Sequence, residues 1–170
     1  RWRLFKAGQR VLDLGAAPGS WSRYAAERIG AKGVVVAVDL QEIRELSLPN
    51  VTVLRGDAFA LGTADETAET VRKSAPYDVV LSDMAPNTTG NRLGDQTRSF
   101  ELFMRALEVG GRLVKPGGAF VGKIFMGEDL PHARAAVRKL FGGERLIRPE
   151  GTRSVSYEIF VVAEGRRSEG

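Results

Sequence analysis

Residues 11–21 read VLDLGAAPGSW, a run of branched aliphatic side chains followed by a loop of small residues and then by a helix-like stretch. A strand, a glycine-bearing turn and a helix in this order form a common entrance for nucleotides. The free N–H groups of the helix start and the missing side chains let a ligand come close. The loop has neither the G-x-G-x-x-G spacing of a dinucleotide site nor the G-K-[ST] ending of a phosphate-binding loop. We therefore expect neither a dinucleotide nor a nucleoside triphosphate as the ligand.

Length and composition limit the class of protein. The chain has 170 residues, of which 43% are hydrophobic and 27% charged, and this suits one domain with a substantial core. It has no cysteine and one histidine, so we expect no disulfide and no metal site. The longest apolar run, VVVAV, is too short to span a membrane, and the basic start is not followed by a signal-like segment, which predicts a cytoplasmic protein. The net charge of +4 favours a polyanionic partner only weakly.

β-Branched runs alternate with longer helix-like stretches along the chain. The predicted strands are 10–14, 33–39, 51–55, 78–83, 119–125, 145–148 and 156–163, and the predicted helices are 20–30, 64–75, 96–114 and 130–141. This alternation predicts an α/β fold with a mostly parallel seven-stranded sheet and helices on both faces. The last two strands have too short a connection for a crossover helix, so we expect an antiparallel hairpin at one edge. The polar segment 86–98 follows a strand, where active-site loops of such sheets lie.

Charged residues follow the predicted strands at the edge of the sheet where ligands bind. Asp39 comes 20 residues after Gly19, the position at which an acid accepts hydrogen bonds from ribose hydroxyls. The other strands deliver Asp13, Asp57, Asp83, Lys123 and Glu158. An acid after a strand is often only a helix cap or a turn residue, and Asp39 or Asp57 taken alone can equally be one of these. Glu158 by itself suggests a solvated edge position. Lys123 in AFVGKIF is either exposed or buried with a partner, and we interpret it as functional.

An acid-rich site disfavours phosphate-bearing ligands and suits a cationic, hydroxyl-rich one. S-Adenosylmethionine carries a sulfonium, an amino group, a ribose diol and an adenine amine, and it has no phosphate. Asp39 would take the ribose diol, Asp57 the adenine amine, and Asp83 would lie near the amino acid and sulfonium end. The GAAPG loop would let the backbone approach the methionine portion. Trp21 is either a packing residue of the first helix turn or the floor of this pocket.

Four segments of the chain resemble the ribosomal RNA large-subunit methyltransferases of the RlmE (FtsJ/RrmJ) type: DLGAAPGSW, SDMAPNTTG, KPGGAFVGKIFMGE and TRSVSYEIFVVA. The likeness runs over nearly the whole chain. It implies a single domain over residues 1–170 with a class I methyltransferase (Rossmann-like) fold and S-adenosylmethionine as the methyl donor. It also implies methylation of a ribose 2′-hydroxyl in ribosomal RNA, in that family a uridine of the A loop. The implied partner is ribosomal RNA in the assembled large ribosomal subunit. We expect a monomer that does not associate with a membrane and binds no metal ion.

The resemblance also assigns roles to individual residues. The residues that would bind the cofactor are Gly19, Trp21, Asp39, Asp57 and Asp83. The residues that would be catalytic are Asp83, Lys123 and Glu158. The three catalytic positions match members of the family's Lys-Asp-Lys-Glu tetrad. The family's first lysine lies upstream of the LFK-x-G stretch, whereas Lys6 aligns with a different position. We expect the native protein to extend before Arg1 and to supply that lysine there.

Methyl transfer to a hydroxyl is an in-line displacement that needs alignment and removal of a proton. Lys123 is the expected base, or the group that holds the hydroxyl, and Glu158 and Asp83 are expected to orient it. Arg92 and Arg153 are expected phosphate contacts. Three alternatives remain open: an NAD-dependent oxidoreductase, a non-catalytic RNA-binding assembly factor on the same fold, and a messenger-cap or other RNA 2′-O-methyltransferase with the same tetrad.

Overall fold

A computed structural model of the chain describes residues 3–44, 46–60, 66–149 and 157–169. Within these ranges the strands are β1 (Arg10–Leu14), β2 (Val34–Asp39), β3 (Val51–Arg55), β4 (Tyr77–Ser82), β5 (Val114–Phe125), β6 (Phe141–Ile147) and β7 (Glu158–Arg166). The helices are α1 (Ser20–Ile29), α2 (Glu66–Ser74), α3 (Arg92–Leu113) and α4 (Leu130–Leu140). None of the described helices has both the length and the apolar character that crossing a membrane requires.

The seven strands form one sheet in the order β3-β2-β1-β4-β5-β7-β6. Strands β1 to β5 pair in parallel, and β7 is antiparallel to both β5 and β6. The predicted seven-stranded, mostly parallel sheet with an antiparallel C-terminal hairpin is therefore confirmed. Because β7 lies between β5 and β6, the edge strand at this end of the sheet is β6. The suggestion that Glu158 occupies an edge strand is thus wrong, since its strand has a neighbour on each side.

Alternate side chains of the strands enter two cores, one on each face of the sheet. One core packs α2, α3 and α4 against the sheet and contains Phe103, Phe120 and Phe141. The other packs α1 against the opposite face through Ala25, Ala26 and Ile29. Helices therefore cover both faces, as predicted, and α1 is alone among the four described helices on its face.

The largest differences from the predicted boundaries surround α3. The helix begins at Arg92, whereas the sequence predicts a start at residue 96. The side chain of Asn91 accepts a hydrogen bond of 3.1 Å from the backbone N–H of Gly94, and this cap starts the helix early. The predicted polar loop over 86–98 is therefore a loop only as far as Asn91. The KPGG segment lies inside β5 instead of in a turn, and β6 begins at residue 141 instead of 145.

Gly122 sets how closely β5 approaches α3, directly before the functional candidate Lys123. A Cβ atom added to Gly122 would lie 2.7 Å from a ring carbon of Phe103 and 2.9 Å from one of Phe120. Both rings are buried in the core, so they have little room to move. The absent side chain therefore allows the strand that carries Lys123 to lie directly on Phe103.

We expect Gly122→Ala to lower the free energy of unfolding by about 1–3 kcal/mol, because overpacking forces the aromatic rings from their positions. Urea denaturation followed by circular dichroism measures this change. Gly143→Ala on β6 is the matched control, since a Cβ there meets nothing within 4 Å. Equal unfolding midpoints for the two variants would contradict the packing argument.

Asp13 is a fully buried acid on β1, below the loop that follows this strand. Its Oδ2 accepts a 2.6 Å hydrogen bond from Ser22 Oγ, and its Oδ1 has no hydrogen-bond partner among the described residues. Burial raises the pKa of Asp13 to about 7; the Ser22 hydrogen bond opposes this shift, and the charges of Asp83 and Asp39 add to it. Asp13 thus belongs to the protein interior, below the other acids of this sheet edge.

Asp13 makes stability depend on pH in a defined direction. Its pKa is higher in the folded protein than the ordinary value of 3.8, so the folded state binds more protons and loses stability as pH rises from about 4 to about 7. We expect Asp13→Asn, which cannot ionise, to gain stability relative to the wild type over this interval, by on the order of 3 kcal/mol. Urea denaturation of both proteins at several pH values measures the difference. A difference that stays constant with pH would contradict the assignment.

Candidate active site

Asp39, Asp57 and Asp83 line one cavity at the carboxyl ends of β2, β3 and β4, as the sequence predicts. The volume of this cavity is about 450 Å³, within the ordinary range for small-molecule sites. The first loop of the chain contributes Gly15 and Ala17 to its wall. We refer to it below as the acid cavity.

Backbone N–H groups hold two of these carboxylates in place. Asp39 Oδ2 accepts a 2.9 Å hydrogen bond from the N–H of Ala17, and Oδ1 accepts one of 2.8 Å from Gln41. Asp57 Oδ1 accepts a 2.9 Å hydrogen bond from the N–H of Phe59. An ionised carboxylate has about four acceptor positions, so each of these groups retains capacity for a ligand in the cavity.

The loop after β1 brings its backbone to the acid cavity because its residues are small. The N–H groups of Gly15 and Ala16 both donate to the carbonyl of Val38, at 2.8 and 3.1 Å, which ties the loop to β2. Gly15 has a φ of +69°, and a Cβ atom there would overlap the side chain of Met84. Glycine is required on both counts, since this backbone region strains other residues.

Gly19 and Trp21 do not line the acid cavity. Gly19 caps the start of α1 with a φ of +112°, and a Cβ there would lie 3.2 Å from Ile43. The ring of Trp21 packs on Phe160 at a centroid distance of 4.9 Å and lines a different, largely apolar cavity. The structure does not bring these two residues to the three acids, so their roles in cofactor binding stay predictions.

Lys123, Asp83 and Glu158 meet at the ends of three neighbouring strands. Lys123 Nζ lies 2.8 Å from Asp83 Oδ1 and 3.8 Å from Glu158 Oε1. The ammonium donates a long hydrogen bond of 3.5 Å to the backbone carbonyl of Asp83, and its contact with Oδ1 is an ion pair without hydrogen-bond geometry. The Lys123 side chain is only 12% exposed, against 32% for Asp83 and 38% for Glu158. The predicted catalytic residues thus form one cluster around a largely buried amine.

Asp83 belongs to both parts of the site. It lines the acid cavity, and it is also the nearer of the two carboxylates that pair with Lys123. A ligand bound in the acid cavity would therefore lie next to an amine that can hold, or accept the proton of, a hydroxyl group. The arrangement therefore places a cavity lined by carboxylates next to a largely buried amine.

Sequence reasoning missed the apolar walls of the acid cavity. Leu40 and Phe59 both line it, and Leu40 is 67% exposed. The sequence could have indicated both residues, because Leu40 directly follows Asp39 and Phe59 comes two residues after Asp57. Arg105 of α3 lies over the Phe59 ring, with its guanidinium carbon 4.1 Å from the centroid. Nothing in the local sequence around Arg105 indicates that contact.

Of the two arginines expected to contact phosphates, the structure describes only Arg92. Arg153 lies outside the described residues. Arg92 is the first residue of α3, and its guanidinium carbon lies 3.8 Å from the ring centroid of Tyr157. The residues next to Arg92 in the sequence do not predict its contact with this aromatic ring.

Comparison with known proteins places the chain in a family. It matches the family model for FtsJ-like methyltransferases over residues 1–166. It is 58% identical over 170 residues to ribosomal RNA large subunit methyltransferase E of Sorangium cellulosum (strain So ce56), covering 100% of this chain and 78% of that protein. The protein of the same name from Nitratidesulfovibrio vulgaris (strain DP4) is 46% identical over 167 residues, covering 98% of this chain and 81% of that protein.

Solved structures share the fold. A protein described as a ribosomal RNA methyltransferase from Plasmodium falciparum superposes with a TM-score of 0.82 at 22% identity, over 96% of this chain and 90% of that chain. Fibrillarin from Aeropyrum pernix, solved with S-adenosyl-L-methionine, gives a TM-score of 0.62 at 15% identity, over 95% of this chain and 68% of that chain. These similarities confirm the predicted class I methyltransferase, Rossmann-like fold. With the family match over nearly its whole length, the chain belongs to the FtsJ-like methyltransferase family.

Proposed function

We propose that this protein transfers a methyl group from S-adenosylmethionine to a ribose 2′-hydroxyl of large-subunit ribosomal RNA. The observation that carries the proposal is the double placement of Asp83, in the acid cavity and beside Lys123 Nζ. Family membership and the names of the relatives support ribosomal RNA as the substrate. The resemblance to the RlmE type supports a uridine of the A loop as the target nucleotide.

The residues of the acid cavity fit S-adenosylmethionine, which supplies an activated methyl group when bound. Asp39 would hold the ribose diol, Asp57 would hold the adenine amine, and Asp83 would lie near the amino acid and sulfonium end. Leu40 and Phe59 provide apolar walls suited to the adenine ring. Most of the charged side chains that line this cavity are carboxylates. They suit a ligand that carries positive charge and no phosphate.

Lys123 would act on the hydroxyl of the RNA. Its amine is fixed from two sides by Asp83 and Glu158, so a hydroxyl that contacts it has a defined position. In the neutral form the amine can take up the hydroxyl proton as the oxygen forms its bond to the methyl carbon and the bond from that carbon to sulfur breaks, which would leave S-adenosylhomocysteine. In the charged form the amine would only hold the oxygen by donating a hydrogen bond to it, and the hydroxyl proton would pass to water. The two carboxylates orient the amine in either case. Positioning the oxygen in line with the methyl group is the larger requirement, because it removes most of the entropic cost of the encounter.

We further propose that the substrate is the assembled large ribosomal subunit and that the protein acts in the cytoplasm as a monomer without a metal ion. The direct test incubates the protein with radiolabelled S-adenosylmethionine and large subunits from cells that lack this modification. Free ribosomal RNA serves as the comparison substrate. We expect label on one ribose 2′-oxygen, mapped by its resistance to alkaline cleavage. Label on a nucleobase, or none on either substrate, would overturn the proposed reaction.

Asp39→Ala should weaken the binding of S-adenosylmethionine by about 1–3 kcal/mol, because the ribose hydroxyls lose their acceptor in a partly buried site. Isothermal calorimetry measures the change in affinity. Asp129→Ala is the matched control, since Asp129 lies next to α4, away from the acid cavity. Unchanged affinity in Asp39→Ala would remove this residue from the cofactor site.

Lys123→Ala should keep the affinity for S-adenosylmethionine within about threefold and reduce single-turnover methyl transfer at least 100-fold, which is roughly the usual contribution of an acid–base group. Rapid-quench measurements with large subunits give the rate, and calorimetry gives the affinity. Lys139→Ala, an exposed lysine on α4, is the control and should transfer at the wild-type rate. Transfer by Lys123→Ala at a near wild-type rate would show that the amine takes no part in the chemistry.

A further inference from the structure

We infer that a second cavity, next to the Lys123 cluster, binds a nucleobase of the RNA substrate, and that Tyr157 and Arg92 form the stacking surface for it. The cavity has a volume of about 510 Å³ and lies between the start of α3 and the ends of β5 and β7. We refer to it as the α3 cavity. The inference rests on the proposed function, because it names the site at which the RNA of that reaction is held.

The α3 cavity adjoins the reacting amine through Glu158. Glu158 lines this cavity, and its Oε1 lies 3.8 Å from Lys123 Nζ. Phe125, which also lines it, pairs with Glu158 across β5 and β7 and is two residues from Lys123, hence on the same face of the sheet. The acid cavity reaches Lys123 through Asp83, and the α3 cavity reaches it through Glu158. A nucleotide with its ribose at Lys123 therefore has the α3 cavity beside it.

Tyr157 and Arg92 present the kind of surface on which nucleobases stack. The guanidinium carbon of Arg92 lies 3.8 Å from the ring centroid of Tyr157, and Tyr157 is 37% exposed. Aromatic rings and guanidinium planes are the two side-chain surfaces that stack on unpaired bases of RNA. Arg92 also brings a positive charge to a site that must accept a polyanion. The pair thus combines stacking area with charge at the cavity wall.

The loop before α3, which forms one wall of the cavity, is held by a network of its own. The N–H of Thr89 donates to both carboxylate oxygens of Asp95, at 3.1 and 3.2 Å, and the Thr89 hydroxyl donates to Asp95 at 3.0 Å. Arg98 pairs with the same carboxylate. Because these bonds are internal, the wall keeps its shape without a ligand, which lowers the cost of binding.

The opposite wall is fixed through the backbone of Tyr157. The side-chain amide of Gln96 donates a 2.8 Å hydrogen bond to the carbonyl of Met126, and the N–H of Met126 donates a 2.7 Å hydrogen bond to the carbonyl of Tyr157. This chain of contacts connects α3, the end of β5 and the residue before β7. Tyr157 is therefore positioned by backbone contacts that do not need its ring, so replacing the ring leaves those contacts in place.

The test compares Tyr157→Ala with Tyr157→Phe and Arg92→Ala in single-turnover methyl transfer to large subunits that lack the modification. We expect Tyr157→Ala to raise the subunit concentration at half-maximal rate about tenfold, since stacking on one aromatic ring contributes roughly this factor. The rate at saturating subunits and the affinity for S-adenosylmethionine should stay within about twofold, because the ring does not contact the cofactor site. Tyr157→Phe should match the wild type, because the ring alone is needed, and Arg92→Ala should show a smaller increase.

A spectroscopic measurement reports stacking directly and does not depend on methyl transfer. A single-stranded RNA hexanucleotide with one 2-aminopurine is titrated with each protein, since the fluorescence of this base is quenched when it stacks. We expect quenching by the wild type and by Tyr157→Phe, and a large loss of quenching with Tyr157→Ala. Thermal unfolding of the three proteins checks that they are equally folded.

The outcomes separate this inference from the proposed function. If the wild type methylates subunits while Tyr157→Ala has the same half-maximal concentration and the same quenching, the α3 cavity does not bind a base and the inference is overturned. If the wild type shows no methyl transfer to any RNA, the proposed function fails, and the hexanucleotide quenching then decides on the base site by itself. A lower melting temperature of Tyr157→Ala, with equal quenching after correction for the unfolded fraction, would assign the Arg92–Tyr157 contact to stability alone and would also overturn the inference.

Discussion

The largely buried amine of Lys123 is the group around which the site is arranged. A cation that is only 12% exposed needs partners, because an uncompensated buried charge is strongly destabilising. Asp83 and Glu158 meet this need, and they come from the end of β4 and the start of β7, on the two strands that flank β5. The insertion of β7 between β5 and β6 is therefore what completes the cluster. The same contacts connect the acid cavity on one side of the amine with the α3 cavity on the other.

Several acidic residues gather at this edge of the sheet, and the protein limits the repulsion between their negative charges in different ways. Asp13 lies in the interior with its pKa raised to about 7 by burial, so near neutral pH a substantial fraction of it carries a proton. Asp39 and Asp57 accept hydrogen bonds from backbone N–H groups, which compensate part of their charge. Asp83 pairs with Lys123. A cationic ligand in the acid cavity would add to this compensation, which is consistent with the cofactor that we propose.

Much of the fold and part of the site were predictable from local sequence. Hydrophobic alternation located the seven strands, and the short connection after β6 excluded a crossover helix. Asp39, Asp57 and Asp83 follow parallel strands, and the geometry of such a sheet brings their ends together. Glu158 was harder to interpret, since a terminal strand by itself suggests an edge. Its catalytic role was predicted from the family resemblance and not from its spacing.

The sequence by itself determined which segments become strands and which acids stand at their ends, because periodicity and turn chemistry act between near neighbours. Only the tertiary structure decided that β7 enters the sheet beside β5, since strand order depends on how the helices pack on both faces. It also decided that Trp21 packs on Phe160 and that Arg92 lies on Tyr157. These partners are far apart along the chain, so no local pattern encodes their contact, and the packing of whole elements brings them together.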